Sequence, residues 1–104
     1  MTNASRLSVA VIVPARDAAR LLPQVFSAIN ANAPDELIVV DDASRDDSAR
    51  IAEAAGAQVI RLAEARGPAF ARNRGANVAR ADVLLSVDAD VLLPAGAATM
   101  VSEY

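Results

Sequence analysis

The sequence of 104 residues contains no cysteine, no histidine, no lysine and no tryptophan. The lack of cysteine excludes a disulfide framework, thiolate catalysis and a zinc–cysteine site. The lack of histidine removes the commonest general base and the commonest transition-metal ligand. Because all 10 basic residues are arginine, a phosphate group must be recognised by arginine side chains, by backbone N–H groups or by a metal ion.

Long apolar runs and positive charge are also scarce. The net charge of −3 and the pI near 4.7 argue against a nucleic-acid-binding protein, which needs a basic face. No apolar run approaches the ~20 residues that span a bilayer, and the N-terminus lacks a signal-like segment. We therefore expect a cytoplasmic location, extending to the inner face of the membrane only through segments outside this sequence. Association of two copies is a further expectation if apolar surface is left exposed.

The pattern of apolar residues alternates between strands and helices along the whole chain. Short runs of branched residues predict strands, and apolar residues at helical spacing predict helices. The strands are predicted at Ser8–Val13 (ended by Pro14), Glu36–Val40, Ala57–Leu62 and Asp82–Val87, and the helices at Ala18–Ala31, Ser44–Ala55, Gly67–Val78 and Pro94–Tyr104. This order predicts an α/β fold of three layers, α/β/α, with a mostly parallel, Rossmann-like sheet. We expect residues 1–104 to form one domain unit, with residues 1–7 frayed.

The last predicted strand is followed directly by two carboxylates, Asp88 and Asp90. Its almost unbroken apolar run is typical of a strand that is covered on both faces. In extended backbone the two side chains would point the same way, roughly 6.6 Å apart. Such a pair either shares a divalent cation or meets strong donors, since two unpaired carboxylates repel each other. A solvated turn is the alternative.

A second acidic pair, Asp41 and Asp42, follows the second strand. Because neighbouring strand residues point in opposite directions, at most one of the two faces a ligand. We favour Asp42 for that role and expect the other carboxylate to accept N–H bonds from the turn at Ser44. The same turn predicts a helix cap, with Ser44 at the N-cap and Asp47 three residues later.

The remaining candidates are arginines. Arg72 and Arg74 lie two positions apart on a predicted helix and so face different directions. Arg72 is the candidate for binding a diphosphate, and Arg74 is the candidate for a solvated charge. Arg16, on the loop after the first strand, fits either role. We expect the largest apolar side chains of the helices to lie in the core, namely Leu22, Phe26 and Phe70.

Four segments together resemble family 2 glycosyltransferases, which have the GT-A fold. The segments, in the family's order, are VAVIVPARDAARLL, ELIVVDDASRDDS, GPAFARNRGA and DVLLSVDADV. The resemblance implies a site for a nucleotide-diphospho-sugar donor. It implies that Pro14, Ala15 and Asp17 line the nucleoside pocket and that Asp42, or Asp41, accepts a hydrogen bond from the base.

The resemblance also implies roles on the phosphate side of the donor. Arg72 would lie near the diphosphate, Asp88 would contact the ribose or the sugar, and Asp90, with Asp88 beside it, would ligate Mg²⁺ or Mn²⁺. The reaction it implies is a single displacement that inverts the anomeric carbon and transfers the sugar to a glycan, lipid or small-molecule acceptor. The family's acceptor-binding half and catalytic base lie beyond the second aspartate motif. We therefore expect this sequence to hold the donor-binding half and to turn over little or nothing by itself.

Three alternatives explain part of the pattern. A receiver-type phosphoacceptor signalling domain also places an acidic pair and a later aspartate after strands, but it has a lysine that is absent here. A sugar nucleotidyltransferase has a glycine-rich basic loop after its first strand, whereas this chain has Pro14-Ala15-Arg16-Asp17. A non-catalytic nucleotide-sugar-binding module would bind the donor without transferring the sugar.

Overall fold

The computed structural model describes residues 6–97 and contains one four-stranded sheet with three helices. The elements are β1 Val9–Ala15, α1 Leu22–Asn30, β2 Glu36–Asp41, α2 Ser48–Ala54, β3 Gln58–Arg61, α3 Pro68–Val78 and β4 Val83–Ser86. The strand order is β3-β2-β1-β4, and all three pairings are parallel. This architecture confirms the predicted α/β fold and brings the carboxyl ends of the four strands to one rim of the sheet.

The helices cover both faces of the sheet. α1 and α2 pack on the face that carries Val11, Val13 and Val39, whereas α3 packs on the face that carries Ile12 and Val40. The change of face follows from right-handed crossovers, since the chain moves outward from β1 to β3 and then returns across β1 to β4. The strand order therefore reverses between β1 and β4, which is where open α/β sheets form a ligand crevice.

α3 approaches the sheet closely because the residues on its buried side are small. Ala71 and Gly75 are its buried residues. A Cβ atom on Gly75 would lie 2.6 Å from Cγ2 of Ile12 and 3.2 Å from Cγ2 of Val40. The helix is thus seated directly on β1 and β2, and its N-terminus is held at the carboxyl rim.

β1 extends to Ala15, so the prediction that Pro14 ends this strand was wrong. The backbone N–H and carbonyl groups of odd-numbered residues in β1 point toward β2. The N–H of Asp42, for example, donates to the carbonyl of Ala15 at 2.8 Å. The backbone groups of even-numbered residues point toward β4. The last hydrogen bond on that side runs from the N–H of Val87 to the carbonyl of Ile12. The N–H that Pro14 lacks would be needed only for the next bond to β4. Proline therefore ends the pairing with β4 and leaves the pairing with β2 intact.

The first residues of α1 and α2 differ from the predicted ones. α1 begins at Leu22 rather than Ala18, since residues 18–21 form a turn and Pro23 occupies the first helical turn, where a missing N–H is tolerated. α2 begins at Ser48, and its N-cap residue Asp47 makes no side-chain capping bond. The predicted capping box at Ser44 was therefore wrong.

β4 was predicted to be buried on both faces, and this was also wrong. Its residues alternate between half-buried and exposed, and Leu84 is 45% exposed. The reason is position, because β4 lies at the edge of the sheet in the described residues and α3 covers β1 and β2. Phe70, predicted in the core, is 43% exposed and lies beside the guanidinium of Arg66. Leu22 and Phe26 are buried as expected.

No helix within residues 6–97 is long and apolar enough to cross a membrane. The last predicted helix, Pro94–Tyr104, and most of the segment expected to be frayed lie largely outside the described residues.

Candidate nucleotide-binding site

A cavity of about 260 Å³ opens at the carboxyl rim, above the ends of β1 and β2. Its walls come from the end of β1, the end of β2 and the start of α3: Pro14, Ala15, Arg16, Asp42, Gly67 and Pro68. Three residues predicted for a nucleoside pocket, Pro14, Ala15 and Asp42, thus lie around one cavity. Their contacts with a nucleoside stay a prediction.

Asp42 is the acidic residue that faces this cavity, and it is 4% exposed. Its Oδ1 accepts from the backbone N–H of Arg66 at 2.7 Å, and its Oδ2 accepts from the backbone N–H of Gly67 at 2.9 Å. Each carboxylate oxygen has a second lone pair that can accept another hydrogen bond. Asp42 therefore fixes the loop that leads into α3 and keeps acceptor capacity toward the cavity.

Asp41 points to the opposite face of the sheet, as expected from the alternation of strand residues. It is 5% exposed, and its Oδ1 has no hydrogen-bond partner among residues 6–97. The expectation that this carboxylate accepts from the turn at Ser44 is not met. The hydroxyl of Ser44 accepts instead from the N–H of Asp17 at 2.9 Å.

The loops after β1 and β2 are joined by side-chain bonds. Oδ1 of Asp17 accepts from the N–H of Arg45 at 2.7 Å. The buried hydroxyl of Ser48 accepts from the N–H of Ala18 at 2.9 Å and donates to the carboxylate of Asp46. The Ser48 hydroxyl holds the pKa of Asp46 below its ordinary value. These bonds explain why the turn at Ser44 is not a helix cap.

Asp17 does not line the cavity that contains Asp42. It lines a separate cavity of about 270 Å³ together with Ala18, Arg20 and Leu21. Its backbone has a φ of 50°, a conformation that aspartate tolerates better than most residues. A direct role for Asp17 in binding a nucleoside stays a prediction.

Asp88 and Asp90 lie beyond the end of β4, in a turn. The N–H of Val91 donates to the carbonyl of Asp88 at 3.0 Å, so the backbone is not extended across the pair. The spacing derived from extended geometry was therefore wrong. The missing N–H of Pro14 contributes, because β1 has no donor for the next bond to β4 after the one that Val87 makes.

Arg72 of α3 approaches this turn. Its Nη2 lies 3.9 Å from Oδ1 of Asp88, and both side chains are substantially exposed, at 41% and 59%. An ion pair of this length and exposure is weak, so both groups are available to a ligand. Arg74 is exposed and makes no hydrogen bond or ion pair within the described part of the chain, as expected for a solvated charge.

Two residues of the cavity walls, Gly67 and Pro68, were not predicted to belong to a site, and Arg16 was left open between a diphosphate contact and a solvated charge. Gly67 has a φ of 91°, which favours glycine, and its N–H is one of the two that bind Asp42. The Gly67-Pro68 pair predicted the beginning of a helix, but it gave no indication that both residues line a cavity. That the loop before α3 folds back onto the end of β2 depends on a contact over 25 positions, which local sequence patterns do not reveal.

Comparisons with known proteins point to one family. The sequence model described as "Glycosyl transferase family 2" matches residues 10–103. The chain is 38% identical over 96 residues to the succinoglycan biosynthesis protein ExoU of Rhizobium meliloti, covering 86% of this chain and 28% of that protein. The chain therefore spans about a quarter of the length of this relative.

Two solved structures are similar in fold. S. aureus TarS in complex with UDP-GlcNAc superposes with a TM-score of 0.75 at 26% identity, covering 81% of this chain and 27% of that one. Glucosyl-3-phosphoglycerate synthase of Mycobacterium tuberculosis, in complex with Mn²⁺, UDP and glucosyl-3-phosphoglycerate, superposes with a TM-score of 0.66 at 26% identity, covering 85% and 35%. The family match over nearly all of the described residues and these similarities lead to one conclusion: the chain belongs to glycosyl transferase family 2.

Proposed function

We propose that this chain binds the nucleotide part of a nucleoside-diphosphate sugar at the carboxyl rim of the sheet, as the donor-binding part of an enzyme that transfers the sugar to an acceptor. The observation that carries the proposal is the alignment of the Asp42 cavity and the Arg72–Asp88 pair along one rim. The cavity lies above β1 and β2, and the pair lies at the end of β4, beyond the point where the strand order reverses. Family membership argues against the receiver-domain alternative.

The base of the nucleotide would occupy the cavity. A carboxylate at Asp42 accepts hydrogen bonds and donates none, so it favours a base with a ring N–H, such as uracil, thymine or guanine. Uracil is the first choice, because similar structures contain UDP or UDP-GlcNAc. Pro14 and Ala15 would contact the nucleoside through backbone and apolar atoms.

The diphosphate would extend from the cavity toward β4. There the guanidinium of Arg72 would face the charge that develops on the departing nucleoside diphosphate, and one such contact is typically worth about 3–4 kcal/mol. Asp88 would lie against the ribose or the sugar. Because the Arg72–Asp88 pair is weak in the structure, little energy is lost when each group turns to the donor.

Mg²⁺ or Mn²⁺ would be held by Asp90 and Asp88. Hard carboxylate oxygens suit these cations, and Mg²⁺ is commonly bound by one or two carboxylates together with substrate phosphates. Residues 6–97 bring together no group of three or more acidic, cysteine or histidine side chains that could hold a metal ion. A cation that arrives with the diphosphate fits such a sparse donor set. When bound, it would supply positive charge against the leaving group.

We further propose that the transfer is a single displacement that inverts the anomeric carbon, with an acceptor hydroxyl as the nucleophile. Such a step needs a base on the acceptor side. At the carboxyl rim Asp42, Asp88 and Asp90 are assigned to the donor, Asp17 holds a loop, and Asp41 is buried, so none of these acids is assigned to that role. The chain as given is expected to bind nucleotide without measurable transfer.

The proposal is tested by isothermal titration of residues 1–104 with UDP, GDP and dTDP, each with and without Mn²⁺. We expect saturable binding of at least one nucleotide, with UDP the tightest, that strengthens when Mn²⁺ is present. Binding should also raise the free energy of unfolding by mass action, by about 2.7 kcal/mol at a hundredfold excess over the Kd, and the unfolding temperature should rise with it. Failure of all three nucleotides to bind, with the protein folded, would overturn the proposal.

A further inference from the structure

The proposed nucleotide cavity contains one planar side chain, that of Arg16. The sequence has three aromatic residues, and two of them are described. Phe26 is 3% exposed in the core, and Phe70 lies outside the cavity walls, with its ring centroid 5.2 Å from Cζ of Arg66. The other cavity walls are two prolines, an alanine, a glycine and the carboxylate of Asp42. None of these offers a planar π surface.

A nucleobase needs more than a contact at its edge. Asp42 can accept a hydrogen bond in the plane of the ring, but the two faces of the ring lose water on binding and need partners of their own. A guanidinium is planar and weakly hydrated, and it stacks on aromatic faces. Arg16 therefore has the chemistry that the cavity otherwise lacks.

The backbone of Arg16 is held in place while its side chain is free. Arg16 directly follows Ala15, whose carbonyl accepts from the N–H of Asp42 at 2.8 Å. Its exposed guanidinium makes no hydrogen bond or ion pair to any residue between 6 and 97. The residue is thus fixed next to Asp42 with a head group that can close over a ligand.

The position of Arg16 favours a contact with the base over one with the phosphates. The cavity that Arg16 and Asp42 share lies over β1 and β2, whereas Asp88 lies past the end of β4, on the other side of β1. On that other side Arg72 already supplies a guanidinium, 3.9 Å from Asp88. A diphosphate directed toward β4 would therefore meet Arg72, which leaves Arg16 with the base.

We propose that Arg16 is a base-binding residue whose guanidinium lies flat on the nucleobase while Asp42 accepts from the edge of the ring. This inference rests on the proposed function, since it assumes that a nucleotide occupies the cavity. It assigns to an arginine the stacking role for which an aromatic side chain would otherwise be needed. Stacking strengthens the binding of any base, since every base has a π face. Selectivity among bases would therefore come from the hydrogen bond to Asp42.

The test uses three substitutions at one exposed position. Arg16→Lys keeps the charge and loses the plane, Arg16→Tyr keeps a plane and loses the charge, and Arg16→Ala loses both. Each variant of the 104-residue chain is titrated with UDP in the presence of Mn²⁺. If Arg16 stacks on the base, Arg16→Lys and Arg16→Ala should both weaken binding about tenfold, and Arg16→Tyr should bind within about twofold of the unaltered chain.

Two opposite results would overturn the inference. Retained binding in Arg16→Lys with weak binding in Arg16→Tyr would assign Arg16 to the phosphates through its charge, and its effect would then fade as salt rises. Equal binding in all three variants would leave Arg16 without a role. Arg74→Ala, at another exposed arginine without an ion pair in the described residues, is the matched control and should bind UDP as the unaltered chain does.

The failure of this inference is distinguishable from the failure of the proposed function. If the unaltered chain binds none of UDP, GDP and dTDP, the proposed function is wrong and the inference fails with it. If the unaltered chain binds UDP and the variants do not follow the stacking order, the function stands and only the role of Arg16 is wrong. Matching unfolding midpoints of the three variants would show that all of them are folded.

Discussion

The acidic side chains at the amino rim of the sheet and those that follow β4 at the carboxyl rim are used in opposite ways. At the amino rim, Oε1 of Glu36 accepts from the backbone N–H groups of Arg80 and Ala81, both at 2.8 Å. Asp82 accepts from the N–H and the hydroxyl of Ser8, both at 3.0 Å. Asp35 likewise binds the guanidinium of Arg6 and the N–H of Val9. These carboxylates join the ends of separate strands.

At the carboxyl rim, the acids after β4 are left open. Asp88 has a single distant ion pair, with Arg72, and the exposed Asp90 has no hydrogen bond or ion pair within residues 6–97. Asp42 combines both behaviours, because its carboxylate holds the loop before α3 and also faces the cavity. Carboxylates that stabilise the fold thus differ from those available to a ligand in how many hydrogen-bond and ion-pair partners they have.

The largest expected effect comes from removing an open carboxylate. Asp90→Ala should weaken UDP binding in the presence of Mn²⁺ about hundredfold, equal to about 2.8 kcal/mol, since a metal ligand is lost. The free energy of unfolding should change by less than about 0.5 kcal/mol, because the residue is exposed and unpartnered in the described chain. Titration calorimetry and urea unfolding measure the two quantities. Unaltered Mn²⁺-dependent affinity would contradict the assignment of Asp90.

The opposite result is expected at the amino rim. Glu36→Ala should lower the free energy of unfolding by about 1–3 kcal/mol, because two backbone N–H groups lose a charged acceptor. UDP affinity of the folded protein should not change. Glu36→Gln is the control, since it keeps one carbonyl acceptor and should lose less stability. A loss of UDP affinity in Glu36→Ala, at full stability, would erase the distinction between the rims.

Each rim also contains an alanine with positive φ, which gives a smaller and matched test. Ala33 precedes β2 with a φ of 49°, and Ala43 follows Asp42 with a φ of 58°. Replacing either by glycine should stabilise the protein by about 1 kcal/mol or less, because a Cβ is unfavourable in this conformation. Only Ala43→Gly should weaken UDP binding, by severalfold, since it loosens the segment that carries Asp42. Thermal unfolding and titration of both variants decide this.

The smallest effect is the pH dependence of stability. Hydrogen bonds from Arg6 lower the pKa of Asp35, and those from the backbone N–H of Ser8 lower the pKa of Asp82. The unfolded chain thus binds protons more readily than the folded chain, so this stabilisation is complete above the ordinary pKa of 3.8 and is lost as pH falls below it. We expect level urea midpoints between about pH 5 and 7 and a decline below about pH 4. Asp35→Asn should reduce the decline, and an unchanged decline would argue against this origin.

The parts of the structure that were predictable depend on local pattern. The branched runs around Val11 and Val39 are continuous, so their burial on both faces follows from composition. The predicted end of the second helix at Ala55 agrees with the structure, because the next residue, Gly56, has a φ of 87°, which glycine adopts readily after a helix. The parallel order, and hence the convergence of strand ends on one rim, follows from the alternation of strands and helices.

What could not be predicted depends on partners distant in the chain. The exposure of Leu84 requires knowledge that α3 covers β1 and β2 and stops short of β4. The hydroxyl of Ser44 was expected to cap a helix, but the N–H of Asp17, 27 positions away, binds it instead. The sequence left Arg16 open between a diphosphate contact and a solvated charge, because a single exposed arginine becomes informative only when the other walls of its cavity are known.

Pro14 in β1 determines how far β1 and β4 pair at the carboxyl rim. When two parallel strands pair, each inter-strand hydrogen bond brings the next N–H and carbonyl groups close together, so pairing tends to continue along the strands. Pro14 breaks that sequence at the bond after the N–H of Val87. The end of the pairing between β1 and β4 is therefore set by the covalent structure of residue 14, and it does not depend on a ligand in the cavity.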